Sequence, residues 1–293
     1  MLVRLWQPLG TMNDYSISTL LGVIEGLTEF LPVSSTAHLR FVEALLHVDL
    51  ADGYWKMYTI VIQLGAVLCL PFYFRRELSA LVATYPRGPR GNRGLLTHPL
   101  GLVGLAFVTT AVPSLLLTKV IGHNLERLTT MGIALIGGGI VMWIVDAVSR
   151  RQQSLDGMSI GQALWIGLCQ VLSAVFPGTS RSMATIASGQ LAGLSRSSAL
   201  EFSFLLALPT MLAATLYDLF KSLRGDQANA IGVATIDAHG WTVLAIGFGI
   251  SFIVAYASVA WLMEWVRRRG FAPFAAYRVA FGALVLVVAA RGY

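Results

Sequence analysis

The chain has 293 residues, 56% of them hydrophobic and only 12% charged, with a formal net charge of +6. A soluble domain carries about twice that share of charge, so the composition excludes an ordinary soluble protein and points to a bilayer. Its two cysteines, Cys69 and Cys169, lie in apolar runs, which excludes a disulfide framework and a thiolate metal site.

The N-terminal residues hold one arginine and no long apolar stretch, so a cleaved signal is not expected, and Met12 is an alternative start. The first apolar region, at about 16–47, is broken near its centre by Pro32. Each arm is then too short for the roughly 20 residues that cross the hydrocarbon core, so a re-entrant hairpin is predicted. Full spans are predicted at 56–74, 98–121 and 129–148. A second broken region follows at about 160–193, centred on Pro177, and then spans at 201–221, 241–265 and 273–291. The predicted fold is all-α: a polytopic membrane helical bundle with two re-entrant helix hairpins and six full spans. It forms one integral membrane domain over 1–293.

The two broken regions are versions of one another. LLGVIEGLTEFLPVSSTAHL (20–39) aligns with LWIGLCQVLSAVFPGTSRSM (164–183) when Pro32 is set on Pro177, an offset of 145 residues. Gly22 then matches Gly167, Thr28 matches Ser173, Ser35 matches Ser180 and His38 matches Met183. Three full spans separate the hairpins. Three is odd, so the hairpins enter from opposite faces, as in an inverted-topology repeat. The halves run over about 16–148 and 160–291.

Orientation follows from arginine. Arg75, Arg76, Arg87, Arg90 and Arg93 crowd one loop, Arg150 and Arg151 a second, and Arg267, Arg268 and Arg269 a third. All three fall on the same side of the predicted spans, so that side is assigned to the cytoplasm and both termini to the outside. No basic face interleaved with aromatics appears, which argues against nucleic acid as a partner.

The broken regions also carry the ionisable groups. Glu25 and Glu29 are four residues apart, on one face of a helix that is apolar nearly all round. Carboxylates are costly there and repel each other, and a divalent cation, Mg2+ or Ca2+, would relieve both terms. Ser34, Ser35 and Thr36 follow Pro32 and suit the start of the returning helix, whose free N–H groups attract phosphate. His38 lies one turn on and is a candidate nucleophile, general base or general acid. In the second copy Thr179, Ser180 and Ser182 crowd the helix start around Arg181, with Thr185 four residues further. The planar arginine fork matches phosphate oxygens, and an ion pair with Glu25 or Glu29 across the repeat interface is its structural alternative.

At these residues the chain resembles the undecaprenyl-diphosphate phosphatase family of the bacitracin-resistance (BacA) type. The matching segments are EGLTEFLPVSSTAHL (25–39), IQLGA (62–66), PGTSRS (177–182), EFSFLLALP (201–209) and PFAAYR (273–278), in order over nearly the whole chain. The resemblance implies a bacterial inner-membrane enzyme that hydrolyses undecaprenyl diphosphate to the monophosphate and inorganic phosphate. That would recycle the lipid carrier of cell-wall synthesis and confer bacitracin resistance. It implies that Glu25 and Glu29 are the acidic pair associated with metal and catalysis, and that Ser35 and His38 are the catalytic serine and histidine. Ser180, Arg181, Ser182 and Thr185 would form the phosphate-binding segment, while Met183 stands where the family commonly has glycine.

Ser35 is the favoured nucleophile, assisted by Glu29 or His38; attack by His38 or by metal-activated water stays open. Expected partners are the polyprenyl diphosphate, membrane lipids and a second copy in a homodimer. The alternative function is a transporter or flippase of a polyprenyl phosphate or another anionic substrate, since opposed broken hairpins are also a transporter architecture. The acid-phosphatase type of lipid phosphatase is rejected, because it needs a second histidine where Ala187 stands.

Overall fold

A computed structural model describes residues 13–46, 48, 53–88, 91–124, 127–149, 152–224 and 236–291. Met12, Arg90, Arg150 and Arg151, used above for the start and the orientation, lie outside the described residues. Among the described residues the regular structure is helical, apart from one bridge between Gln153 and Leu194.

Among the described residues six helices are long and apolar enough to cross a membrane: α3 (Gly53–Tyr73), α5 (Pro99–Leu116), α7 (Leu128–Val148), α10 (Arg196–Arg224), α11 (Ala238–Arg269) and α12 (Ala272–Ala289). They match the six predicted spans to within about four residues at the ends, with two larger differences. The second span stops at Leu116 rather than 121, because Pro113 weakens its last turn and the chain restarts as α6 (Thr118–Asn124). The fourth begins at Arg196, so Glu201 sits in its second turn rather than at its start. The arginine-rich loop after α3 is partly helical, as α4 (Arg75–Thr84).

The hairpin arms are α1 (Asp14–Thr28) with α2 (Ser35–Leu45), and α8 (Ile160–Val175) with α9 (Arg181–Leu191). At 1.5 Å per residue the 15-residue α1 reaches about 22 Å and the 11-residue α2 about 16 Å, both short of the roughly 30 Å hydrocarbon core. Side chains that close exposed backbone donors set their outer ends. Asn13 accepts from Ser16 N at the start of α1, and Ser159 forms a reciprocal capping box with Gln162 at the start of α8.

Packing repeats from one set of helices to the other. α1 lies on α11, and its counterpart α8 lies on α5; α3 packs against α10, and α7 against α12. The matched glycines Gly22 and Gly167 serve equivalent contacts. A Cβ on Gly22 would come 2.9 Å from the Gly247 carbonyl on α11, and one on Gly167 would come 2.4 Å from the Ala106 carbonyl on α5. The main core gathers Phe30, Leu31 and Val33 from the first tip with Met183, Ile186 and Ala187 from the second, around Phe202, Phe204 and Phe274.

One polar knot ties three helix ends together. Asp146 is buried at the end of α7. It accepts from Arg196 Nε (2.7 Å) at the start of α10 and from Phe271 N (3.1 Å) in the turn between α11 and α12. Asp146→Ala would leave that backbone N–H buried without a partner, so it is expected to cost about 2 kcal/mol of stability. Thermal unfolding in detergent checks this, and an unchanged midpoint would contradict it.

Candidate active site

The tips of the two hairpins meet. The Ser182 hydroxyl donates to the Leu31 carbonyl across the interface (3.1 Å). Each returning helix begins after a serine in left-handed backbone: Ser34 (φ 74°) before α2 and Ser180 (φ 69°) before α9. Ser180 caps its helix in the ordinary way, accepting from Met183 N, whereas the Ser34 side chain makes no capping bond.

These caps correct the alignment made on the sequence. Pro32 is followed by two residues before α2, while Pro177 is followed by three before α9. The extra residue is accommodated at Gly178, whose φ of +96° and approach of 2.4 Å to the Met131 carbonyl leave no room for a Cβ. Past the tips the halves are therefore offset by one further residue. Ser35 is the first residue of α2 and Arg181 the first residue of α9. The counterpart of Ser35 is Arg181 rather than Ser180, and the counterpart of His38 is Ala184 rather than Met183.

Both first residues converge on Glu29, the residue that ends α1. The Ser35 hydroxyl donates to Glu29 Oε2 (2.5 Å), and Arg181 Nη2 lies 3.4 Å from Glu29 Oε1. All three groups are largely withdrawn from the surface, with Glu29 7% and Ser35 8% exposed. Arg181 Nη1 donates to the Ser203 carbonyl (3.2 Å), its guanidinium stands over the Phe30 ring, and its Nε is buried with no partner among the described residues. A buried ion pair adds little net stability in itself. The unpartnered guanidinium donor beside it has bonding capacity that an anion could use.

Glu25 is 1% exposed and lies one turn before Glu29 at the end of α1. Its Oε1 has no hydrogen-bond partner among the described residues. Two neighbouring buried carboxyls need a proton or a cation between them, and the orphaned oxygen is open to a cation. No group of three or more His, Cys, Asp or Glu side chains is gathered among the described residues. A cation held by Glu25 and Glu29 would take its other ligands from phosphate oxygens or water.

The other sequence candidates divide. Ser180 and Ser182 hydroxyls lie 3.0 Å apart, and Thr185 Oγ1 is 2.7 Å from Ser203 Oγ, so these build the wall behind Arg181. Ser34 contributes its carbonyl, which accepts from His38 Nδ1 (2.7 Å). Thr36 is half-buried and makes no side-chain hydrogen bond among the described residues. His38 is brought to the tip but not to Ser35: its Nε2 lies 2.7 Å from the Tyr277 hydroxyl, and its ring stacks on Phe281.

A family model described as "Bacitracin resistance protein BacA" matches residues 18–284. The chain belongs to the BacA family. An "Undecaprenyl-diphosphatase" of Koribacter versatilis is 62% identical over 285 residues, covering 96% of this chain and 100% of that relative. An "Undecaprenyl-diphosphatase 2" of Paramagnetospirillum magneticum is 41% identical over 92% of this chain and 97% of its own length. An "Undecaprenyl-diphosphatase" of Thermus thermophilus is 40% identical over 90% of this chain and 94% of its own length.

In this BacA-family chain three residues, on α2 and α12, carry interactions that the sequence reading did not assign. Glu43 on α2 is buried, with Arg40 at 3.4 Å from one carboxylate oxygen and no described partner on the other. Tyr277 holds His38. Arg278 is fully buried and clamps both tips: Nη1 donates to the Pro32 carbonyl (3.1 Å), and Nη2 lies within reach of Gly178 O (3.0 Å), Thr179 O (2.9 Å) and Ala134 O (3.2 Å). The PFAAYR segment was the available signal. Arg278→Met would strip donors from three buried tip carbonyls, so a loss of about 3 kcal/mol or more is expected. The thermal midpoint and turnover should fall together; wild-type values of both would contradict the clamp.

Proposed function

We propose that this chain hydrolyses undecaprenyl diphosphate in the bacterial inner membrane, giving undecaprenyl phosphate and inorganic phosphate. This recycles the lipid carrier for cell-wall synthesis. It also opposes bacitracin, which sequesters the diphosphate. Family membership supports the reaction class. One observation carries the mechanism: Glu29 accepts the Ser35 hydroxyl on one carboxylate oxygen and faces Arg181 on the other.

The diphosphate enters between the tips while the polyprenyl tail stays in lipid. Arg181 and the N-terminus of α9 take the terminal phosphate. Ser35 Oγ attacks its phosphorus as Glu29 removes the hydroxyl proton, and the bond to the bridging oxygen breaks, releasing undecaprenyl phosphate. Water then attacks the phosphoserine, and its proton ends on His38. The Oγ–P bond breaks, Ser35 regains its proton from Glu29, and inorganic phosphate leaves. The positive charge of Arg181 meets the charge that develops on the transferring phosphoryl oxygens. A divalent cation, Mg2+ or Ca2+, held by Glu25 and Glu29 would supply further neutralisation of the diphosphate.

A carrier of an anionic lipid would use Arg181 but would leave the Ser35–Glu29 hydrogen bond without a task, which favours the enzyme. The basic loops and the odd number of spans between the hairpins support an outward-entering first tip, a cytoplasmic second tip and termini outside. The broad exposed apolar faces of α7 and α8 leave room for a homodimer.

Phosphate release from undecaprenyl diphosphate by detergent-purified protein tests the reading. Ser35→Ala and Glu29→Gln are each expected to lose roughly 10³-fold or more, and Arg181→Lys about 10²-fold. Trapped phosphoenzyme should carry its label on Ser35. Normal turnover by Ser35→Ala would remove Ser35 as nucleophile, and headgroup movement across liposomes without phosphate release would favour the carrier. Chelation should abolish turnover and added Mg2+ or Ca2+ restore it; activity indifferent to chelator would remove the cation from the account.

A further inference from the structure

His38 has both ring nitrogens engaged, and this settles how it is presented. The Ser34 carbonyl can only accept, so Nδ1 carries the proton it donates at 2.7 Å. Nε2 is then the lone-pair nitrogen, and the group on it is the Tyr277 hydroxyl, also at 2.7 Å. The ring plane is fixed as well. Phe281 stacks on the imidazole at a centroid distance of 4.0 Å and 12° between planes, and Tyr277 lies nearly parallel at 5.6 Å. Phe281 and Tyr277 are one turn apart on α12, so a single helix supplies both the stacking face and the hydrogen-bond donor.

Ser35 shows the contrast. Its hydroxyl goes to Glu29, not to His38. The histidine therefore does not serve as the base for the serine in this arrangement, and its lone pair is turned to the Tyr277 hydroxyl. The charged groups near the tip are Glu25 and Glu29 on α1, Arg181 on α9, Arg278 on α12, and Arg40 and Glu43 on α2 itself. None of them forms a hydrogen bond to the imidazole. Among the described residues the titratable side chain bonded to it is Tyr277, itself 46% exposed.

We infer that Tyr277 both positions His38 and relays its proton: it holds the imidazole as its Nδ1–H tautomer and occupies Nε2, so that His38 enters the reaction only through the tyrosine hydroxyl. This rests on the phosphatase reading and adds a residue to it. In the second step the proton lost by the attacking water reaches the tyrosine oxygen while the tyrosine proton moves to Nε2. One proton arrives and one leaves, so Tyr277 ends neutral and His38 ends protonated. Direct attack by Nε2 on phosphorus is ruled out while Tyr277 covers it.

The test compares wild type, Tyr277→Phe, His38→Ala and the double variant, all with the intact chain in detergent and undecaprenyl diphosphate as substrate. Tyr277→Phe keeps the ring and removes only the oxygen. It should lower kcat roughly tenfold or more, the scale of one hydrogen bond and its proton path, with KM within about twofold. The double variant should be no slower than His38→Ala alone, because both changes cut the same path. Diethyl pyrocarbonate, which acylates a free imidazole nitrogen, should label His38 several-fold faster in Tyr277→Phe than in wild type. Wild-type kcat in Tyr277→Phe with His38→Ala impaired would overturn this inference alone. Full turnover by His38→Ala would overturn the role of His38 in the phosphatase reading as well. Multiplied losses in the double variant, or equal labelling rates, would reduce Tyr277 to packing.

Discussion

Glu29 is the point at which the two halves of this molecule become one site. Its carboxylate sits at the end of α1 with the first side chain of α2 on one oxygen and the first side chain of α9 near the other. Such a group is costly in an apolar bundle, and a buried ion pair does not repay its own desolvation reliably. The arrangement persists because other bonds fix the tips first. Arg278 gathers carbonyls from both tips, Ser182 reaches across to Leu31, and phenylalanines from several helices close around them. The helices beyond hold that clamp in place, and Asp146 ties three of their ends.

Matched helix starts with unlike residues explain how one fold makes two unlike sides of a site. α2 and α9 are both 11 residues long and start after a serine with positive φ. The same helix position holds a hydroxyl in one copy and a guanidinium in the other. In the proposed mechanism one presents a nucleophile beside its base and the other a cation for the phosphate. An extra residue at Gly178 shifts the second tip without disturbing the helices, so the residue types could diverge while the backbone scaffold stayed common.

Much of this was legible in the sequence, for physical reasons. Six long apolar runs have few ways to satisfy their backbone in lipid other than as helices, and prolines at the centres of two shorter runs mark breaks. Glu25, Glu29, Ser35 and Arg181 stood out because polar groups in apolar sequence are expensive. Arg278 and Tyr277 did not, although they are as central. They lie in an unbroken apolar helix with no counterpart motif, and their partners are backbone carbonyls and a histidine 99 to 246 residues away. Pairing at that separation has no signature in local spacing. The register past the tips was missed for a related reason: matching the prolines hides an insertion that only the caps reveal.

The most direct measurement is a double-mutant cycle between Glu29→Gln and Arg181→Gln, read as phosphate release from undecaprenyl diphosphate. If the two hairpins grip one headgroup, the losses are strongly non-additive, and the double variant is scarcely worse than the poorer single variant. Losses that simply multiply would mean that the acid of the first half and the guanidinium of the second act apart, and the shared site would be contradicted.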